Sequence, residues 1–301
     1  MTVAICVATY ARQEGLHRLL SSLASLERTD AGLRVVVVDN DAAGSARAVV
    51  DGLSDFPWPI EYTVEPNRGI SAARNAAVRR AGAVDFVAFV DDDEWTEPAW
   101  LAELLRAQSR TDADVVVGPV LPEFAVPPPR WFAKGRFLQP YEHGPDELLW
   151  YAYTGNALIR RSVLEPADAP FSERFGLLGG EDTHFFMRAY IGGAKIVWAS
   201  EARVHESIPP ERLTESWLVR REYRRGNTLS LCLRELEDSP LRRVKRVGHG
   251  VFRIGQGAAL ALALPFGGRA TFVRGLQRIA FGAGLLSGLG VHSFRAYGGE
   301  R

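Results

Sequence analysis

Asp91, Asp92, Asp93 and Glu94 stand side by side within the stretch Val84–Trp95, directly after the apolar run Phe86–Val90. Four adjacent carboxylates repel one another, and burying them unpaired is costly. A hard divalent cation such as Mg²⁺ or Mn²⁺ relieves that repulsion, because these ions prefer oxygen ligands. Mg²⁺ usually takes one or two protein carboxylates and leaves its other positions to water and substrate phosphate. The pattern therefore suits a metal–diphosphate site at a strand end. It equally suits a solvated acidic turn capping a helix that starts near Pro98. A second acidic pair, Glu181-Asp182, follows Gly179-Gly180 and opens a helical pattern over Glu181–Tyr190. A carboxylate at that position meets the positive end of the helix dipole, which favours its ionised form. Acids there also serve as plain N-terminal caps.

These groups need a scaffold, and the chain spells one out. Val3–Thr9 is an apolar strand pattern, followed by Glu14–Leu26 with leucines at helical spacing. Arg34–Asp39 is a second buried strand closed by Asp39-Asn40-Asp41. Ser45–Leu53 predicts a helix, Ile60–Val64 a strand, Asn67-Arg68-Gly69 a turn and Ser71–Ala81 a helix carrying Arg74 and Asn75. After the acidic strand come a helix over Pro98–Ser109 and a strand at Asp114–Gly118. Strands alternating with helices predict an α/β fold, with a mostly parallel central sheet and flanking helices. Ligands of such sheets bind beyond the carboxyl ends of the strands. Here those ends are Thr9-Tyr10, Asp39-Asn40 and Asp91-Asp92-Asp93.

A dinucleotide site is excluded at the first turn. Thr9 to Glu14 contains no glycine before Gly15, so the backbone cradle for a pyrophosphate is absent, as is a P-loop. Diphosphate charge would have to be met by a metal and by Arg12, Arg68 and Arg74.

The 301 residues are 47% hydrophobic and 24% charged, an ordinary globular composition. Cys6 and Cys232 lie far apart in apolar segments and predict buried free thiols in a reducing compartment. Met1-Thr2 runs straight into a strand pattern, so no signal peptide is expected. Net charge is zero but uneven, and a nucleic-acid partner is not expected. Between Asp238 and Glu300 lie nine basic residues and no acid, whereas residues 1–238 hold 26 basic and 35 acidic side chains.

Ala8-Thr9-Tyr10-Ala11-Arg12, Val38-Asp39-Asn40, Asn67-Arg68-Gly69 with Ala73-Arg74-Asn75, Asp91-Asp92-Asp93 and Gly179-Gly180-Glu181-Asp182 follow one another as in family 2 glycosyltransferases. Over about residues 1–230 the chain resembles the bacterial exopolysaccharide enzymes of the succinoglycan-biosynthesis type. The resemblance implies a GT-A fold, a nucleotide-sugar donor, a divalent metal (Mg²⁺ or Mn²⁺) and inversion at the anomeric carbon. It places Thr9, Tyr10, Arg12, Asp39, Asn67, Arg74, Asp91 and Asp92 on the nucleotide. Thr9 and Asp39 would face the base, with Asp39 accepting from a uracil N–H. Asp93 and Asp91 would hold the metal, with His205 as a further ligand. Asp182 would act as catalytic base, and Glu181 would hold the acceptor. A helix face carrying Arg74 could also simply be solvated, and His205 could be structural.

From Pro119 prolines exclude a long helix, and Trp131, Phe132, Phe137, Tyr141, Trp150, Tyr151 and Tyr153 crowd together. Aromatic faces suit sugar rings, so Trp131 and Trp150 are expected to wall an acceptor site; the same rings could instead pack the loop onto the domain. Tyr153–Arg160 returns to a strand pattern, and Asn156 resembles the family segment lining the sugar pocket. Lys195–Trp198 and Ala202–Glu206 are closing strands, and Thr214–Glu237 is a long helix with a basic face.

The expected layout is a GT-A domain over 1–238 and a basic amphipathic helical tail over 239–301. The tail's charge-free runs, Ile254–Gly268 and Ile279–Val291, are 15 and 13 residues long, short of the roughly 20 that cross a bilayer. Apolar runs among arginines predict a peripheral surface for the inner face of a bacterial plasma membrane; a helical hairpin packed on the protein is the alternative. The reaction expected is sugar transfer from a UDP-sugar to a glycan or polyprenyl-linked acceptor. A sugar nucleotidyltransferase would want a glycine-rich nucleotide loop that this chain lacks. A degenerate, glycan-binding scaffold would not need acids intact at both motifs.

Overall fold

The computed structural model describes residues 1–140, 142–164, 169–176, 179–262 and 264–290. Tyr141, residues 177–178 of the glycine loop, residue 263, Val291 and Arg295, named above, lie outside the described residues.

In chain order the elements are β1 (Thr2–Thr9), α1 (Gln13–Ala24), β2 (Gly32–Asp39), α2 (Arg47–Asp51), β3 (Ile60–Val64), α3 (Ile70–Ala81), β4 (Phe86–Val90), β5 (Glu94–Thr96) and α4 (Trp100–Thr111). There follow β6 (Val115–Val117), β7 (Val120–Phe124), α5 (Arg130–Lys134), β8 (Leu148–Leu149), β9 (Asn156–Arg160) and α6 (Arg161–Leu164). The chain continues through α7 (Glu181–Ile191), β10 (Ile196–Trp198), β11 (Val204–Ile208), α8 (Glu215–Leu236), α9 (Pro240–Leu262) and α10 (Leu264–Ser287).

Packing divides the chain into two compact units, one of residues 1–122, 140–177 and 184–206, the other of residues 123–139, 178–183 and 207–301. The first unit is built on an eight-stranded sheet of order β3-β2-β1-β4-β9-β6-β10-β8. Its β3-β2-β1-β4 half is parallel, with Thr9 opposite Asp39 and Cys6 opposite Phe89. β9 then runs antiparallel to β4 and pairs Val90 with Asn156. Parallel strands need both faces covered, which is why β4 is apolar throughout and buried at every residue. Leu16, Leu19, Leu20 and Leu23 of α1 cover one face with Trp100, Leu101 and Leu104 of α4. Ala73, Ala77, Phe171, Phe185 and Phe186 cover the other. Truncating any one of these leucines to alanine would cost roughly 2–5 kcal/mol.

Among the described residues of the aromatic stretch are the five-residue α5 and the edge strand β8, and no long helix. In the second unit Phe132, Phe137, Leu213, Leu218 and Val273 make a small core. Within α10, Gly268 departs from helical geometry with φ 69°. α10 packs against both α8 and α9. Glycines permit this closeness: a Cβ on Gly226 would lie 2.2 Å from the Phe281 carbonyl, and one on Gly257 2.5 Å from that of Gly275.

Candidate active site

β1, β2 and β4 end together because their registers are in step, so the loops after them share one edge. Each of the four acids there meets a different environment. Asp92 is buried and points back into the β1 loop. It accepts from the Thr9 hydroxyl at 2.8 Å, from the Tyr10 N–H at 3.4 Å and from Arg12 Nη1 at 2.8 Å. Burial pushes its carboxyl up to about 6, opposed by the Arg12 charge and helped by Asp93. α1 approaches so closely that a Cβ on Gly15 would lie 2.3 Å from the Asp92 carbonyl oxygen. Glu94 is buried too. It accepts from the Asp91 N–H at 2.7 Å, and its carboxyl is raised well above the usual range by burial, then by Asp91 and Asp93. Gly155 must lack a Cβ there, since one would come within 2.6 Å of Glu94 Oε1.

Asp91 and Asp93 are the acids that remain open, with side chains 39% and 22% exposed. Arginines face both: Arg74 Nη2 lies 2.8 Å from Asp91 and Arg12 Nη1 2.9 Å from Asp93. Burial works against the Arg12 charge, but Asp93 and then Asp92 outweigh it and hold the guanidinium above its ordinary value. Arg74 is buried on α3, so the solvated-face reading of that helix is overturned.

The base-side residues are arranged otherwise than expected. Asp39 is wholly buried and accepts from the Asp41 N–H at 3.0 Å, the Ala46 N–H at 2.7 Å and the Tyr62 hydroxyl at 2.8 Å. Thr9 is buried with its hydroxyl given to Asp92. Tyr10 is exposed, with the Arg68 guanidinium 4.7 Å over its ring, and Asn67 is exposed in the adjoining loop. Asn40, to which the sequence reading gave no role, fixes that loop. Its amide donates to the Glu65 and Asn67 carbonyls and its oxygen accepts from the Gly69 N–H. The signal was an amide, with donors and an acceptor, at a strand end.

The remaining candidates sit in varied surroundings. Asn156 is buried; it donates to the Pro119 and Ala202 carbonyls and accepts from Trp100 Nε1, so it braces the scaffold. Trp150 is 58% exposed, but it follows β8, four strands from β4. Trp131 lies edge-on to Phe132 and Phe137, as the packing alternative has it. His205 stacks on Trp95 and sets Nε2 3.2 Å from Glu97. Among the described residues no group of three or more His, Cys, Asp or Glu is placed to hold a metal, so Asp91, Asp93 and His205 do not form one ligand set. Two half-exposed carboxylates nevertheless fit an ion that takes one or two protein oxygens and leaves the rest to water and phosphate.

In the second unit Glu181 and Asp182 lie in the first turn of α7, Glu181 buried and Asp182 half-buried. The Thr183 N–H donates to Asp182 Oδ1 at 2.6 Å. Gly179 and Gly180 lie against α8: the Thr228 hydroxyl is 3.5 Å from the Gly179 carbonyl, and a Cβ on Gly180 would collide with Thr228. Burial and the charges of Asp182, Glu235 and Glu181 hold the Cys232 thiol protonated.

The pattern described as "Glycosyl transferase family 2" matches residues 4–166, more than half of the chain. The succinoglycan biosynthesis protein ExoM of Rhizobium meliloti is 37% identical over 297 residues, spanning 98% of this chain and 95% of that protein. The crystal structure of S. aureus TarS 1-349 in complex with UDP is similar at a TM-score of 0.57 and 18% identity, over 95% of this chain and 91% of that one. The mannosyltransferase PcManGT from Pyrobaculum calidifontis, in complex with GDP-Man and Mn²⁺, is similar at 0.64 and 17%, over 95% and 86%. With the parallel β3-β2-β1-β4 half-sheet and its flanking helices, these likenesses give the chain a GT-A fold. By its motifs and by its similarity along nearly its whole length, the chain is a member of glycosyl transferase family 2.

Proposed function

We propose that this glycosyltransferase moves a sugar, with inversion, from a UDP-sugar to a lipid-linked glycan during exopolysaccharide assembly. One observation carries the reading: Asp91 and Asp93 stand partly exposed at the carboxyl end of β4, Asp91 paired with Arg74 and Asp93 with Arg12. The name of the similar succinoglycan protein supports the exopolysaccharide setting. The UDP and the GDP-Man with Mn²⁺ in the similar structures support a nucleotide-sugar donor and a metal.

Asp93 and Asp91 would hold Mg²⁺ or Mn²⁺, which when bound offsets charge on the leaving diphosphate. Arg12 and Arg74 orient the two carboxylates, and Arg12 offers a partly exposed cation beside them. Tyr10, Arg68 and Asn67 supply the exposed surface for the nucleoside. Asp39 shapes that surface through the 41–46 turn and Tyr62 and does not touch the base. Asp182 takes the proton from the acceptor hydroxyl as that oxygen attacks the anomeric carbon and the bond to the diphosphate breaks. Glu181 steadies the acceptor.

The test is a thermal-shift series of nucleotide sugars with and without Mn²⁺, followed by donor hydrolysis and transfer assays. A UDP-sugar should raise the melting temperature only with the metal present. Asp182→Asn should keep that shift and lose transfer, since an amide fills the same volume but cannot accept the proton. Equal shifts without metal would overturn the metal assignment. A donor-binding loss as large as the turnover loss would make Asp182 a donor ligand.

A further inference from the structure

α9 spans 23 residues, about 34 Å at the rise of an α-helix. One side packs on α10 through close glycine contacts at Gly250 and Gly257. The other side is bare. Leu241, Val244, Val247, Val251, Phe252 and Leu262 are between 42 and 82% exposed. At 100° per residue they fall on one stripe, together with Gly248 and Gly255, and open space lies beyond both glycines. No polar side chain interrupts that stripe from Leu241 to Leu262. Arg243 and Lys245 project at its two margins, both exposed. A soluble surface scatters its exposed apolar residues; a continuous stripe marks a contact.

We infer that the outward stripe of α9 is the surface by which this protein docks on an anionic lipid bilayer, lying in the interface plane. Charge selects that occupant. The segment from Asp238 to Glu300 holds nine basic residues and no acid between its ends. Glu237 and Asp238 answer Arg242, Arg243 and Arg246 at the start of α9, yet the helix pair stays positive. A second copy packed on the same stripe would set like charges against each other, whereas anionic headgroups answer them. Arg243 and Lys245 can bury their stems beside the stripe and keep their charges at the headgroups. No described helix is long and apolar enough to cross a membrane, so contact would be peripheral. The docking face rests on the proposed transfer only for its purpose, delivery to a lipid-linked acceptor.

The experiment is co-sedimentation of the whole protein with phosphatidylcholine vesicles and with vesicles that also contain phosphatidylglycerol, at low and high salt. Each basic residue near an anionic surface contributes about 1 kcal/mol, so two or three should give at least about tenfold tighter binding to the anionic vesicles. High salt should remove most of that preference. The double variant Val244→Glu/Val251→Glu should bind at least about tenfold more weakly, with an unchanged melting temperature because both positions are exposed. Lys245→Ala should reduce the salt-sensitive part alone. Absence of wild-type binding, equal binding by the double variant, or a wild-type dimer that the double variant dissociates would each overturn the inference. Donor hydrolysis without vesicles reads the catalytic proposal separately: vesicle binding without hydrolysis would leave the docking face standing and overturn the transfer reaction.

Discussion

The ends of β2 and β4 both close an apolar run with aspartate, and they use it in opposite ways. At the β2 end Asp39 is fully buried and its carboxylate accepts from three groups of its own chain. At the β4 end Asp91 and Asp93 stay half-exposed, each with an arginine across a charge pair. An acid ringed by backbone N–H groups is a structural bracket. An acid whose neighbours are cations and water is available to a ligand. The contrast teaches that the strand-end aspartate alone does not tell the two apart; the donors within reach do.

The largest effect that would separate the two ends is on turnover. Asp93→Ala should lower transfer by roughly a thousandfold, about 4 kcal/mol of transition-state stabilisation. The residue lies outside the core, so the melting temperature should stay within a few degrees. Steady-state kinetics with Mn²⁺ and a thermal melt on the same protein check both halves. Normal kinetics would make Asp93 a second bracket and erase the contrast.

At the other end the effect should fall on stability. Asp39→Ala strands the Asp41 and Ala46 N–H groups and the Tyr62 hydroxyl without an acceptor. Leaving such groups unsatisfied should cost about 3 kcal/mol in urea denaturation. A variant of unchanged stability and weakened UDP binding would show that Asp39 reads the base after all.

An intermediate case is Arg74, buried but paired to an open acid. Arg74→Met should lower stability by about 1.5 kcal/mol without metal, because Asp91 then faces Glu94 and Asp93 without its paired guanidinium. Added Mn²⁺ should recover part of the loss by binding the freed carboxylate. A variant indifferent to Mn²⁺ would take Asp91 out of the ligand set.

Much of this was legible in the chain. Apolar runs of parallel-strand type predict β1, β2 and β4, and their polar ends predict the shared edge. The helix periods of α1, α3 and α4 follow from the same patterning, with boundaries displaced by a residue or two. The roles of individual polar residues were less legible. Asn156 lies in a motif-like segment, yet its bonds go to Trp100, Pro119 and Ala202, all of them 37 or more residues away along the chain. Glu94 extends an acidic run, but strand β5 turns it inward to hold the Asp91 N–H. Such partners are set by tertiary packing, which local periodicity does not encode.

The smallest effect tests the bracket at its outer member. Tyr62 is half-buried on β3 and donates its hydroxyl to Asp39 at 2.8 Å. Burial first, then the hydrogen bond and charge of Asp39, push its phenol up to about 12. An unfolded tyrosine titrates near 10. Between those values the native state keeps a proton that the unfolded state has lost, so stability falls as pH rises through that window. The contribution is complete below pH 10 and gone above pH 12. Tyr62→Phe should therefore cost about 1 kcal/mol at neutral pH, less than a fully buried bond to a charged group because the ring is partly solvated. The difference from wild type should shrink steadily as pH climbs from 10 to 12, since wild type alone has this proton to lose. Urea denaturation at stepped pH, alongside an ultraviolet titration of tyrosinate, reads both. A variant deficit that stayed constant across the window would mean that Tyr62 packs beside Asp39 without bracing it, leaving the two backbone donors to hold the β2 end.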